Sequence, residues 1–231
     1  MELTAHYIVI SPTAGELKWD VKPDDFLLSK QLGWMEFLEK EWKEHVLEAR
    51  QGFTAVSIIW RTSEAQSTFQ KQFQKFKIKP KTLSSQIWEI PVCYGFDYGP
   101  DLGSLAVSHR IRVNELIELH SSAVYRLHFF GFLPGFPYLN GLPEQLHTPR
   151  KSVPDRLVEP GSVAIGGRQT GIYPQASPGG WHIIGQTPVE LFDVKKSPPV
   201  WASPGDQLKF EPIDSDHMEK MLASPPYPRK R

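Results

Sequence analysis

The chain has 231 residues, of which 40% are hydrophobic and 23% charged, the balance of a globular protein with material for one large domain or two modest ones. Lys plus Arg total 26 and Asp plus Glu total 26, so the net charge is zero, which argues against broad binding to nucleic acid or to an anionic membrane. The single cysteine, Cys93, excludes an intramolecular disulfide; with no leader pattern and no apolar run of bilayer length, the expected location is the cytoplasm.

Tyr7-Ile8-Val9-Ile10 is a short β-type run. From about Pro23 to Val46 the pattern is that of an amphipathic helix, capped by Asp24 or Asp25, with Leu28, Leu32, Met35, Trp42 and Val46 along one face. Gly52 breaks the pattern, and Phe53 to Trp60 reads as a strand. Ser63-Glu64-Ala65-Gln66 fits a capping box ahead of a second helix, and Phe69, Phe73 and Phe76 stripe one side of it. Helical spacing of this kind is first of all a burial signal. Pro80 ends that helix, and Ile87–Val92 gives a further strand. The alternation over residues 1–92 predicts a small ferredoxin-like α/β domain of the split βαβ type, in an α+β protein. The second domain, 93–231, opens with a turn-rich passage, Tyr94–Pro100, and two short helices around Asp101–Ser108 and Val113–Ser121. It is β-rich from Tyr125 to about Phe210, and its last twenty residues, polar and proline-rich, are expected to fray or drape.

Residues 129–188 alternate glycine, proline and aromatics with short apolar runs, a composition that cannot make helices and suits rigid turns. In Gly131-Phe132-Leu133-Pro134-Gly135-Phe136 the glycines permit positive φ and Pro134 fixes the bend, so that Phe132, Phe136 and Tyr138 either project as a ligand or partner surface or fold inward at a barrel corner. Gln169-Thr170-Gly171-Ile172-Tyr173-Pro174 and Ser177-Pro178-Gly179-Gly180-Trp181 offer backbone N–H groups and the neutral donors Gln169, Thr170 and Tyr173 to a carboxylate, amide or phosphate. The alternative is a pair of connected turns anchored by Trp181. Arg150 and Arg168 lie in flanking loops, either able to bind an oxyanion bidentately. His120 ends a helix, as a cap or as a site residue. No metal-ligand spacing, no Gly-x-Ser-x-Gly elbow and no Walker A motif occurs in the sequence; Gly161–Arg168 imitates the last but lacks its Lys-Ser/Thr pair.

The order and spacing of these segments resemble the family that includes allophanate hydrolase subunit 1, the B subunit of 5-oxoprolinase and the Kip-type kinase inhibitors. The match runs over roughly 90–210. It is carried by Ile90–Gly95, Gly99–Leu102, His120 with Tyr125, Gly131–Leu139, Pro149-Arg150, Gly161–Ile165, Gln169–Pro174, Ser177–Trp181, Gly185, Thr187-Pro188 and Pro204–Asp206. Three places depart from the family pattern: Pro154-Asp155 stands where a second Pro-Arg is usual, Glu159 where a proline is favoured, and Phe96 where Tyr-Gly-Gly has its last glycine. They alter charge and shape in the loop Pro154–Glu159. The resemblance implies a cyclophilin-like β-barrel after an α/β domain, and a B subunit that hydrolyses 5-oxoproline to L-glutamate only with partners. Those partners are a C subunit of the same family system and possibly an A subunit, with ATP and Mg bound through the complex and no cofactor evident on this chain alone. Other readings it allows are an inhibitor that docks on a sensor histidine kinase, and a carboxyltransferase-type component. The site residues it suggests are His120, Phe132, Pro134, Gly135, Phe136, Tyr138, Arg150, Gln169, Thr170, Tyr173, Pro178, Gly179, Gly180 and Trp181.

Overall fold

The computed structural model describes residues 4–231, which divide into two compact units, the first running to Leu83 and the second Ser84–Arg231. In the first, β1 (His6–Ser11) and β2 (Ala14–Lys18) form a hairpin, followed by α1 (Asp25–Glu41), β3 (Val46–Gln51), β4 (Ala55–Trp60) and α2 (Ser63–Gln72). Asp24 caps α1, its Oδ1 accepting the Leu27 N–H at 2.7 Å, and Thr62 caps α2 by accepting from Ala65. Alternate residues Val56, Ile58 and Trp60 of β4 pack with Leu17, Trp34, Leu38 and Phe69 into an aromatic-rich core.

The sheet order is β1-β2-β4-β3, antiparallel throughout, on an element order ββαββα. This departs from the split βαβ expected. Two strands account for the difference. Ala14–Lys18 is too short and polar to read as a strand. Val46-Leu47-Glu48-Ala49 has ordinary helix propensity, yet pairing with β4 outweighs that and ends α1 at Glu41.

The second unit begins one strand earlier than the sequence suggests. β5 (Ile87–Tyr94), assigned by periodicity to the first domain, runs parallel to β13 (Gln207–Ile213), from Gln207 opposite Ile87 to Ile213 opposite Cys93. Such a pairing needs a long crossover, and everything between the two strands supplies it. After β5 come α3 (Leu102–His109), α4 (Val113–Ser122), β6 (Val124–Phe130), β7 (Pro137–Asn140), β8 (Asp155–Val158), β9 (Ser162–Gly166), β10 (Gln169–Ile172), β11 (Ser177–Gly179) and β12 (His182–Gln186). The ring β12-β9-β10-β7-β6-β13-β5 closes where Gly185 and Gln186 pair with Tyr94 and Cys93, giving a seven-stranded barrel among the described residues. The C-terminal segment does not fray. It forms α5 (Ser215–Ala223), then β14 (Arg229–Lys230), which pairs with Glu89 and Trp88 at the start of β5. Short, proline-interrupted and polar, that strand has no periodicity to betray it.

The barrel strands turn alternate residues inward and outward by the two-residue period. Val163, Ile165, Ile172 and Ile184 fill the interior with Tyr125, Leu208 and Phe210. Ala164 and Ile183 instead join Phe136, Val158, Tyr173 and Trp181 in a second buried cluster. Ala164, Gly166 and Gly171 thereby make a shallow trough on one outer face.

Candidate functional site

Aromatic rings fill that trough, and glycine is what admits them. A Cβ on Gly166 would lie 2.5 Å from the Trp181 ring, and one on Gly171 would lie 2.9 Å from the Phe136 ring. Phe136, 1% exposed, is the hub, with Tyr138, Tyr173 and Trp181 at centroid distances of 5.1, 5.2 and 5.5 Å. The loop joining β6 to β7 holds the fourth ring. Leu133 N–H donates to Gly131 O at 2.8 Å across Phe132, whose φ is +66°, so a non-glycine residue sits at the centre of a γ-turn of the strained hand. Phe132 remains 60% exposed and meets Phe136 edge-on at 5.6 Å. Gly135, φ +81°, closes the same loop.

These rings wall a cleft of about 310 Å³, completed by Arg150, Lys151, Pro154, Pro178, Gly179 and Gly180. The β8–β11 pair forms one side, with Ser177 opposite Val158 and Gly179 opposite Asp155. The Pro149–Lys151 loop is tied down at several points: Lys151 N–H donates to Gly180 O at 2.8 Å, and His182 Nε2 donates to Pro149 O at 3.0 Å. Lys151 Nζ lies between Asp101 Oδ2 at 2.7 Å and Asp155 Oδ2 at 2.6 Å. Burial works against its charge, but the two carboxylates outweigh that and hold its pKa above the usual lysine value. Asp101 also accepts the Ile183 N–H at 2.7 Å, which anchors this ion-pair network to β12.

Arg150 differs from its neighbour. It is exposed, its guanidinium carbon lies 5.6 Å from the Trp181 ring centre, and it has no ion pair among the described residues. Burial raises the phenol pKa values of Tyr138 and Tyr173, with Arg150 opposing, so both stay protonated at neutral pH. The cleft therefore offers one uncompensated, rigidly backed cation beside aromatic walls and neutral phenols. That suits a small, flat ligand with a single carboxylate.

The structure thus brings Phe132, Phe136, Tyr138, Arg150, Tyr173, Pro178, Gly179, Gly180 and Trp181 together. It places the other candidates elsewhere. Pro134 is the exposed loop tip, and Gly135 is buried against Phe192, behind the cleft. Gln169 is half-buried in the β9–β10 hairpin, opposite Gly166, and exposed Arg168 sits at its turn. His120 and Thr170 lie wholly inside the barrel. Thr170 Oγ1 donates to Ala164 O at 3.0 Å, so it accepts from His120 Nε2–H at 2.9 Å, leaving Nδ1 to accept the Tyr94 O–H at 2.8 Å. Desolvation lowers the His120 pKa from 6.5 to about 3, and the ring stacks on Phe210 at 4.7 Å. His120 does not cap its helix either: Tyr125 Oη–H bonds the His120 carbonyl at 2.7 Å. Sequence reasoning missed Lys151, Pro154, Asp101 and Asp155. The divergent Pro154-Asp155 pair was the available signal, since it supplies both a cleft wall and the second carboxylate on Lys151.

A closed barrel after a small antiparallel α/β unit is a fold this chain shares with known proteins. The chain belongs to the carboxyltransferase domain family, subdomains C and D, whose pattern matches residues 9–202. It is 44% identical over 171 residues to the 5-oxoprolinase B subunit of Escherichia coli O157:H7, spanning 73% of this chain and 78% of that one. It is 50% identical over 134 residues to the 5-oxoprolinase B subunit of Haemophilus influenzae, spanning 58% of this chain and 63% of that one. The solved urea amidolyase of K. lactis superposes with a TM-score of 0.78 at 18% identity, over 96% of this chain but 16% of that one, a likeness of fold.

Proposed function

We propose that this chain is the B subunit of an ATP-dependent 5-oxoprolinase, which opens the lactam of 5-oxoproline to L-glutamate in company with partner polypeptides. The observation that carries the reading is the identity of 44% over 171 residues with a protein of that name. The cleft's chemistry supports it: Arg150 pairs with the substrate carboxylate, the five-membered ring lies against Phe136 and Trp181, and the Tyr138 and Tyr173 phenols donate toward the lactam carbonyl. Lactam opening adds water across the C–N bond, and donors aimed at the carbonyl oxygen stabilise the charge that develops there. The finer fold assignment, a cyclophilin-like barrel, belongs to the same reading.

ATP does not fit this cleft. A triphosphate asks for several free cations or a glycine cradle, whereas Lys151 is already held by two aspartates and Arg150 stands alone. We place the nucleotide and its Mg on a partner, the C or the A subunit, and the assembly in the cytoplasm. The test is an ATP-dependent 5-oxoproline hydrolysis assay with and without the candidate partners. The reading requires negligible turnover by the isolated chain and restoration on mixing; full activity of the chain alone, or none in any mixture, refutes it.

A further inference from the structure

The N-terminal unit carries a feature that the cleft does not use. Between Glu64 and Glu89 the chain has five lysines, Lys71, Lys75, Lys77, Lys79 and Lys81, and no carboxylate. All five are exposed and none forms an ion pair among the described residues, although Glu36 and Glu41 of α1 stand beside Lys77, Lys79 and Lys81, so the charge is least compensated toward Lys75. From Lys75 onward lysines alternate with Phe76, Ile78 and Pro80, and Phe76 and Ile78 are half-buried against the aromatic core. This is the two-residue period of extended backbone, which turns one set of side chains out and the other in.

The backbone of this strip is fixed. Phe76 packs on Phe37 at 4.9 Å and on Trp34 at 6.5 Å. Lys81 N–H donates to Ser29 O at 2.9 Å, and the Ser29 hydroxyl returns a bond to the Lys81 carbonyl. Gly33, inside α1, lets the Lys79 carbonyl approach so closely that a Cβ there would lie 2.3 Å from its oxygen. A mid-helix glycine costs about 1 kcal/mol, and here it seats the strip. Lys75, at the end of a 3-10 turn, and Lys81 are at most about 20 Å apart at ~3.3 Å per residue. Alongside runs a groove of about 740 Å³, lined by Lys30, Trp34, Phe73, Phe76 and, of the lysines, Lys75, Lys77 and Lys79.

We propose that this strip is a docking surface for an acidic, amphipathic segment of a partner protein, whose apolar side chains enter the groove while its carboxylates engage the lysines. A row of like charges held at set spacing is mutually repulsive, and an opposing row of carboxylates relieves it. A zero net charge gives a long polyanion such as nucleic acid no long-range attraction. A segment some 20 Å long needs only the local match, and the apolar floor rewards aliphatic side chains.

The test is fluorescence anisotropy of the full chain with three labelled probes: a peptide of six Glu-Leu repeats, one of six Glu-Ser repeats, and an oligothymidylate of equal length. The Glu-Leu peptide binds at least about tenfold tighter than either of the others. Its affinity falls about tenfold or more from low to high salt. The variant K75Q/K77Q/K79Q/K81Q, whose changes are all exposed, keeps the wild-type melting temperature and loses about tenfold or more of that affinity. Equal binding of the two peptides, tighter binding of oligothymidylate, or a variant that binds like wild type overturns the proposal. Should the variant misfold, the peptide comparison and salt dependence of the wild-type chain decide alone.

Discussion

The barrel holds two polar groups at opposite ends of one scale. His120, fully enclosed, has both ring nitrogens bonded and its carbonyl capped. Arg150, outside and exposed, is held over Trp181 and has no described carboxylate partner. Both belong to sequence segments that resemble the same family, yet only the second has an unfilled interaction to offer. Perturbation by burial alone is a poor guide to function: the strongly shifted group is the structural one, and the group free to meet a ligand lies in the cleft.

Replacing either member breaks this comparison in opposite ways, and the largest effect falls on the interior. His120→Ala strands the Tyr94 hydroxyl and removes one of the Thr170 hydroxyl's two bonds around a cavity, and should cost about 3 kcal/mol of stability. Urea unfolding checks this, and a loss below about 1 kcal/mol would contradict a fully satisfied interior cluster. The same residue sets a pH dependence. Its folded pKa of about 3 lies below its ordinary value of 6.5, so below pH 6.5 the unfolded chain takes up a proton that the folded chain refuses. Stability contributed by His120 is thus complete at neutral pH, declines as pH falls from about 6.5 toward 3 by up to about 1.4 kcal/mol per unit, and levels out below. The difference between wild type and His120→Gln, measured at several pH values, isolates it.

On the outer face, Arg150→Ala should leave the melting temperature unchanged while lowering kcat/KM of the assembled enzyme about 30-fold, close to 2 kcal/mol. Arg150→Lys should restore part of that loss, because charge returns without the bidentate fork. A stability loss with unchanged kinetics would make Arg150 the structural member of the pair. The smallest effect is expected at Phe132. Phe132→Gly removes edge-on ring contacts but relieves a strained φ, so stability should shift by less than about 1 kcal/mol in thermal unfolding. Activity should still fall, since an exposed ring kept in a strained turn is kept for what it meets. A large destabilisation would mean that the ring is core.

Local signals carried much of this molecule. Both N-terminal helices, the two short helices after β5 and the glycine-aromatic loops were legible, because caps, proline stops and turn residues act within a few positions. The second half was legible as β-rich, and its barrel only through the family resemblance; Pro137–Asn140 and Gln169–Ile172, read as turn segments, are barrel strands. Ala14–Lys18, Val46–Gln51 and Arg229–Lys230 were not visible as strands, since each is held by its partner strand rather than by its own propensity. The cleft was half legible. Phe132, Phe136, Tyr173 and Trp181 stood out by composition, but His120 and Thr170 shared their neighbourhood in sequence and point the other way.

What the sequence determined by itself was chemistry and local geometry: which turns are rigid, which residues are aromatic, which loops carry a cation. Tertiary structure alone decided that β5 belongs to the barrel, that His120 faces inward, and that Lys151 is neutralised by Asp101 and Asp155 while Arg150 is left available. The physical reason is one of range. Turn and cap energies depend on neighbours along the chain, whereas strand pairing, desolvation and charge compensation depend on groups as distant as Ile87 and Gln207, brought together only when the ring of strands closes.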